Sequence, residues 1–329
     1  MPTVRFSFIE ANGRNEMKNF KKRQEKKPSG RKRTIRQTWQ YHLLMLPGIL
    51  VVFTYTIIPF FGNVMAFQDF QPILGFFRSR WVGLANFKRI LYMPDAARIF
   101  RNSLQIAVGK LLLSMVLSIF FAVLLNEIQL TKFKKAIQTI CFLPHFLSWV
   151  ILATIFRNLL DVNGIVNQML MSIGMVKEPI MFLGSNDLFQ GVLILTDVWK
   201  GFGYGAIIFL AALMGISPEL YEAADIDGAG RLDKIWHITL PGIRTTVVLV
   251  ATLNIANVLN AGFDQVYNLY SPIVYRSGDI IDTYVYRMSF LSAQYSLATS
   301  IGLMKSVISF VLIVTAHALA NKFANYRIF

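Results

Sequence analysis

Long apolar blocks alternate with short polar joints along this chain. A helix crossing a bilayer core of ~30 Å takes about 20 mostly apolar residues, and six blocks qualify: 42–66, 103–126, 138–160, 188–215, 243–266 and 296–320. None carries the period-two alternation of a barrel strand, and backbone satisfaction in lipid admits only helices or closed barrels. The pattern therefore predicts an all-α integral membrane fold of six transmembrane helices. Two joints have patterns of their own. WVGLANFKRIL (81–91) is an amphipathic stretch with aromatics of the kind that settles at headgroup depth. ISPELYEAADIDGAGRLDKIWHITLPGIR (216–244) reads as two short helices. Pro218 opens the first, with Glu219 and Glu222 near its start, where the helix dipole favours acids. Gly228 and Gly230 break it, helical pattern resumes over 231–238, and Leu240-Pro241 turns the chain back. Ala223 and Ala224 keep one face small, which suits a knob that docks into a cleft on a partner.

Composition agrees with the pattern. The chain is 54% hydrophobic and 16% charged, whereas soluble chains average ~45–50% apolar and about 25% charged. A soluble enzyme and a disordered chain are excluded. Cys141 is the single cysteine, so neither an intrachain disulfide nor a cysteine metal cage can form. The net charge of +15 is uneven, for residues 1–40 hold twelve Lys/Arg against Glu10, Glu16 and Glu25. This is read as a disordered basic tail, held on the cytoplasmic side by the positive-inside rule and resting on anionic membrane lipid. It has too few aromatics for a nucleic-acid partner and is too long for the basic end of a secretory signal. The division expected is a tail at 1–40 and a six-helix membrane domain at 41–329, with 216–242 as its coupling loop. Both termini are then cytoplasmic. One segment argues back: 67–102, outside on this topology, holds Arg78, Arg80, Lys88, Arg89, Arg98 and Arg101.

The 216–244 joint resembles the EAA loop of binding-protein-dependent ABC importer permeases. It carries Glu222-Ala223-Ala224, three residues, Gly228, nine residues, then Ile238-x-Leu240-Pro241. The likeness extends over nearly all of the chain after residue 40, through LPGILVVFTYTIIP (46–59), FLPHFLSWV (142–150), DVWKGFGYGAIIFLAALMG (197–215) and GFDQVYNLYSPIVYRSGDIIDTYVYR (262–287). These stretches are similar to carbohydrate-type permeases, in particular those for oligosaccharides of plant or algal polysaccharides, several of them uronate-containing. The resemblance implies the transmembrane domain of a type I ABC importer in a bacterial cytoplasmic membrane. It assigns ATPase coupling to Glu222, Ala223, Ala224, Asp227, Gly228, Arg231, Ile238, Leu240 and Pro241. It also implies a second homologous permease chain in a heterodimer, two ATPase subunits that bind ATP and Mg, an extracytoplasmic solute-binding protein and an oligosaccharide substrate. The chain has no GxxxxGK[ST] loop to cradle phosphates, so it is expected to be non-catalytic and to bind no cofactor or metal itself. An ion-coupled secondary transporter of sugars is the alternative, but it would want paired buried carboxylates or related halves. A membrane enzyme would want clustered acids or histidines at a membrane face; neither pattern is evident.

Polar residues inside the blocks are the candidate substrate path. Lys200 lies midway along the fourth block beside Trp199, where a lysine costs roughly 2.5–3.5 kcal/mol on insertion. The expected relief is an ion pair with Asp197, about 60° away around the helix; the alternative is a cation exposed to an anionic sugar. Lys110 and Lys305 are expected to snorkel. Asn254, Asn257, Asn260 and Asp264 fall within roughly 120° of one another on a continuous helix. They form either a sugar-binding stripe, with Phe263 and Tyr267 near, or hydrogen-bonding glue between helices. Pro144 with His145 predicts a kink in the third block.

Overall fold

A computed structural model describes residues 35–255 and 258–324. Most of the basic tail, Asn257 and residues 325–329 lie outside the described residues. The chain divides into two units, 1–62 and 63–329. In the first, helix α1 (Ile35–Val52) runs through a π turn at Phe53–Ile57 into Ile58–Phe60. Its side chains are exposed from Tyr41 to Phe61, as suits lipid or a partner helix. The π turn falls just before Pro59, whose missing N–H cannot bond the carbonyl four residues back. A second π turn, Ile235–Thr239, precedes Pro241 in the same way.

The second unit opens on a two-residue hairpin, β1 (Gln68–Asp69) with β2 (Arg80–Trp81), paired antiparallel with Gln68 opposite Trp81. Helix α2 (Ala85–Leu91) leads into the long α3 (Ala96–Glu127), then α4 (Thr131–Phe142), α5 (Trp149–Leu159), α6 (Ile165–Ser172) and α7 (Phe189–Leu213). The 216–244 joint forms α8 (Pro218–Ile226) and the single turn α9 (Arg231–Lys234), and α10 (Arg244–Ile255) follows. Short helices α11 (Phe263–Leu269), α12 (Tyr275–Gly278) and α13 (Ile281–Tyr286) precede the closing α14 (Tyr295–Ala324). Helices α3 and α7 form the spine. Ser118 Oγ donates across it to the Phe202 carbonyl at 2.9 Å, and Ile106, Phe189 and Leu193 are buried between them and the 263–291 segment.

Four of the six expected spans are continuous helices: Tyr41–Phe67, Ala96–Glu127, Phe189–Leu213 and Tyr295–Ala318. The third and fifth are not. Thr131–Phe146 meets Trp149–Leu159 at 101°, and Arg231–Gly242 meets Arg244–Ile255 at 55°, so six spans result where each bent pair is one. The expected kink at Pro144 is a right-angled break. A 3-10 turn holds Leu143–Phe146, Leu147 is extended, and Ser148 restarts the helix as an N-cap accepting from the Ile151 N–H. The fifth block is also interrupted: α10 is described to Ile255, residues 258–262 form a turn and irregular chain, and helix resumes at Phe263, after Gly262 at φ +91°.

Candidate functional site

Where the fifth block breaks, a cavity of about 360 Å³ opens between α3, α7, α10 and the irregular 258–262 segment. Its wall takes Lys110, Ser114 and Ser118 from α3, Asp197 and Phe209 from α7, and Asn254, Asn260 and Gly262 from the broken span. A span interrupted at 258–262 leaves backbone carbonyls without intrahelical partners, and the cavity's chemistry follows from that. Lys110 Nζ donates to the Ala261 carbonyl at 2.6 Å and to Gln265 Oε1, and stands 3.4 Å from Asp197 Oδ1. Gln265, fully buried, returns its amide to the Leu193 carbonyl and Thr196 Oγ1 at 2.7 and 2.8 Å, which ties α11 to α7. Gly262 is needed for its left-handed φ and for space, since a Cβ there would lie 3.0 Å from Lys110 Nζ.

The expected Asp197–Lys200 pair does not form. Three residues along α7 turn the two side chains to different neighbours: Asp197 faces Lys110, and Lys200 Nζ donates to the His145 carbonyl at 2.8 Å, over the Trp149 ring. That carbonyl belongs to the turn at the third-span break, whose His145 ring stacks on Tyr204 at 3.9 Å. Nor do the outer lysines snorkel. Lys110 is buried, and Lys305 bonds Asn260 Oδ1 at 2.7 Å and Asp282 Oδ1 at 2.6 Å. Lys110 and Lys305 thus each meet a carboxylate, whereas Lys200 has no ion-pair partner among the described residues.

The proposed sugar stripe is divided by the same breaks. Asn254 and Asn260 share the cavity. Asn257 lies outside the described residues, and Asp264 is exposed on α11, its carbonyl accepting from Asn268. Trp199 sits apart, edge-on to Phe156, in an apolar hollow with Phe120, Leu195 and Phe202. Sequence reasoning missed Gln265 and the roles of Lys110 and Asp197. The turn chemistry of Asn260-Ala261-Gly262 was the available signal that no single helix runs through this block.

At the 216–244 joint the expected knob is present. Pro218 occupies the first turn of α8 after Ser217. Gly228, at φ +76°, closes the helix: its N–H bonds the Asp225 carbonyl and the Ala229 N–H bonds the Ala224 carbonyl, a Schellman cap. No side chain crowds Gly228, so the backbone angle alone demands glycine there. Asp233 accepts from the Gly230 N–H at 3.0 Å, Lys234 pairs with Asp225, and Tyr221 Oη bonds Thr239 Oγ1 at 3.0 Å, which locks α8 against α9. Glu222, Ala223, Asp227, Gly228, Arg231 and Pro241 are exposed, and Ala224, Ile238 and Leu240 half-buried. Ile226 is 88% and Trp236 66% exposed, an apolar load that a solvated loop would not carry. Leu240 and the buried Ile243 pack with Ala122, Ala206, Phe209 and Leu213. Phe209 and Val250, in or against that cluster, also line the cavity, so one packed column joins knob to cavity.

Comparison with known proteins is specific. Residues 114–325 match the family described as "Binding-protein-dependent transport system inner membrane component". The chain is 41% identical to Protein LplB of Bacillus subtilis (strain 168), over 89% of this chain and 92% of that one. It is 38% identical to the polygalacturonan/rhamnogalacturonan transport system permease protein YteP of the same organism, over 90% and 91%. Among solved structures, a bacterial ABC transporter involved in the import of the acidic polysaccharide alginate superposes with TM-score 0.80 at 33% identity, over 88% of this chain and 97% of that one. A bacterial alginate ABC transporter in complex with its alginate pentasaccharide-bound periplasmic protein gives 0.81 at 31%.

Proposed function

The chain belongs to the binding-protein-dependent transport system inner membrane components, and on that premise we propose that it is one permease chain of an ATP-driven importer for oligosaccharides, acidic ones above all. A second, homologous permease completes the path as a heterodimer. Two ATPase subunits bind ATP and Mg, and an extracytoplasmic solute-binding protein delivers the sugar. The chain catalyses no bond change itself. Its termini and the α8–α9 knob lie on the cytoplasmic side of the inner membrane.

The observation that carries this reading is the packed column from knob to cavity. Glu222, Ala223, Asp227, Gly228 and Arg231 offer an exposed, conformationally fixed surface to the ATPase. Ile238, Leu240 and Pro241 join that surface to the bundle. Closure of the ATPase pair would move the knob, and α7 and α10 would shift across the cavity between them. Sugar hydroxyls are served by Asn254 and Asn260, with Asn257 and Asp264 on the same stretch of chain. An acidic sugar is favoured because Lys200, on α7 beside Trp199, has no carboxylate partner among the described residues. Relatives that carry polygalacturonan and alginate in their names support the same substrate class.

The test is ATP hydrolysis by the complete transporter in liposomes, with and without binding protein loaded with a uronate oligosaccharide. Stimulation is expected with the native chain. Gly228→Val, which forces a branched residue into the left-handed region at about 1–2 kcal/mol or more, is expected to reduce it at least tenfold while the chain still inserts. Undiminished stimulation in that variant would remove the coupling role. Stimulation by neutral but not acidic sugars would correct the substrate class.

A further inference from the structure

Arg98, Arg101 and Arg276 converge on one pocket of about 450 Å³, which Pro94 and Ala97 complete. Arg98 pairs with Asp95 at 2.6 Å, whereas among the described residues neither Arg101 nor Arg276 has a carboxylate partner. The Arg98 Nε is buried without a hydrogen-bond acceptor. The pocket is held open by its frame. Asn102, next to Arg101, donates to the carbonyls of Arg276 and Asp279 at 3.1 and 3.2 Å, and Gln190 donates to the Ser277 carbonyl at 2.8 Å. The Asn102 bonds fasten α12 against the start of α3 and the Gln190 bond ties it to α7, so the segments that carry the arginines are brought together before any ligand arrives.

Depth and direction identify the ligand. Helix α3 has 32 residues, which at 1.5 Å each rise about 48 Å against a hydrocarbon core of ~30 Å. About six residues at each end therefore stand at headgroup level, and Arg98 and Arg101 are among the first six. At 100° per residue Arg101 stands about 180°, and Arg98 about 120°, around the helix from Lys110, so the pocket faces away from the solute cavity. Exposed Leu91 and Tyr92 come just before Pro94 in the chain, as at a membrane–water boundary. We propose that this pocket binds the headgroup phosphate of an anionic phospholipid, clamped by the guanidiniums of Arg98, Arg101 and Arg276. Planar guanidiniums suit a phosphate because each offers two parallel N–H donors. The site accounts for two of the arginines that the positive-inside rule leaves unexplained in 67–102. It holds in either leaflet and does not depend on the identity of the transported sugar.

The purified full-length chain, unfolded by heat in detergent with added phosphatidylglycerol or phosphatidylcholine, tests it. Phosphatidylglycerol is expected to raise the midpoint by several degrees and to be retained as one lipid per chain in native mass spectrometry. The Arg101→Gln, Arg276→Gln chain should keep its midpoint in phosphatidylcholine and lose both effects, whereas Lys132→Gln, Lys135→Gln on α4 should lose neither. Arg101→Lys, Arg276→Lys keeps the charge without the two-pronged fit and should need several-fold more phosphatidylglycerol for half the shift, which serves should the Gln variant fold poorly. An undiminished lipid effect in both variants overturns the proposal. So does an equal shift from inorganic phosphate, which would make the ligand a free anion. It is also overturned if the Gln variant keeps its lipid response but loses stimulation by the loaded binding protein, which would make the pocket a receptor contact.

Discussion

At the scale of single residues, the informative groups are the lysines inside the spans, each of which costs about 2.5–3.5 kcal/mol to insert. Lys110 and Lys200 both meet a carbonyl at a break in a neighbouring span, Ala261 in one case and His145 in the other. Charge and break relieve one another: the amine loses its water, the carbonyl loses its helical partner, and one bond satisfies both. Lys110→Met is expected to destabilise the chain by about 3 kcal/mol, because it strands the Ala261 carbonyl and leaves Asp197 unpaired. Asp197→Asn should cost clearly less, since the bonds to Ala261 and Gln265 remain. Thermal unfolding in lipid nanodiscs measures both, and equal losses would mean that the ion pair, not the carbonyl, is what matters. Much of this was illegible in the sequence for a physical reason. Periodicity reports neighbours one turn away, so Asp197 was assigned to Lys200, while its partner lies 87 residues earlier on a helix packed alongside. The polar residues of the cavity were partly visible as Asn254 and Asn260. Gln265, which joins two helices, went unread although its stretch was noted for its likeness to permeases and for Phe263, Asp264 and Tyr267.

Elements follow the same logic. The apolar blocks 103–126 and 188–215 became continuous helices, the interior glycines of the second included. Hydropathy does not register direction, so the right angle at Pro144–Ser148 was foreseen only as a kink, and the irregular stretch at 258–262 was not foreseen. The EAA joint was legible nearly residue by residue, because Pro218 and Gly228 each have a local backbone reason to be there. The 263–291 segment between α10 and α14 is organised by ionic and aromatic contacts instead. Arg287 grips the buried Asp279 with both Nη atoms, at 2.9 and 2.6 Å, and lies 4.1 Å over the Tyr275 ring. Burial, and to a lesser degree Tyr275, push the Tyr270 phenol beside them up to about 12. A raised folded-state value means that the neutral phenol is favoured by folding. This contribution is full below about pH 10, the unfolded value, and declines as pH climbs to about 12, where the folded group ionises. Stability of this segment should accordingly fall between pH 10 and 12, and Tyr270→Phe should flatten that decline. Hydrogen exchange of 263–291 across this window, with phenolate absorbance as a second readout, checks it; an identical decline in Tyr270→Phe would assign the effect elsewhere.

For the whole molecule the question is how work at one end reaches a cavity inside the bundle. The knob is rigid within itself, through its Schellman cap, the Lys234–Asp225 pair and the Tyr221–Thr239 bond. It meets the bundle at Leu240 and Ile243, packed against Phe209 and Leu213 of α7 and Ala122 of α3. Close-packed interiors transmit displacement because they compress little, so under the importer reading this contact is where knob motion becomes helix motion. Two kinds of damage should then be separable. Under the importer reading, Gly228→Val alters the docking surface and should reduce receptor-stimulated hydrolysis at least tenfold. Leu240→Ala leaves that surface intact but removes several apolar contacts, about 1–3 kcal/mol of packing at a half-buried site. Under the importer reading it should therefore preserve most of the stimulated ATP hydrolysis and lower the sugar delivered per ATP several-fold. Uptake and hydrolysis measured on the same proteoliposomes give that ratio directly. A Leu240→Ala transporter that loses both in proportion would place Leu240 in docking, and one that keeps the native ratio would show that the force takes another route into the bundle.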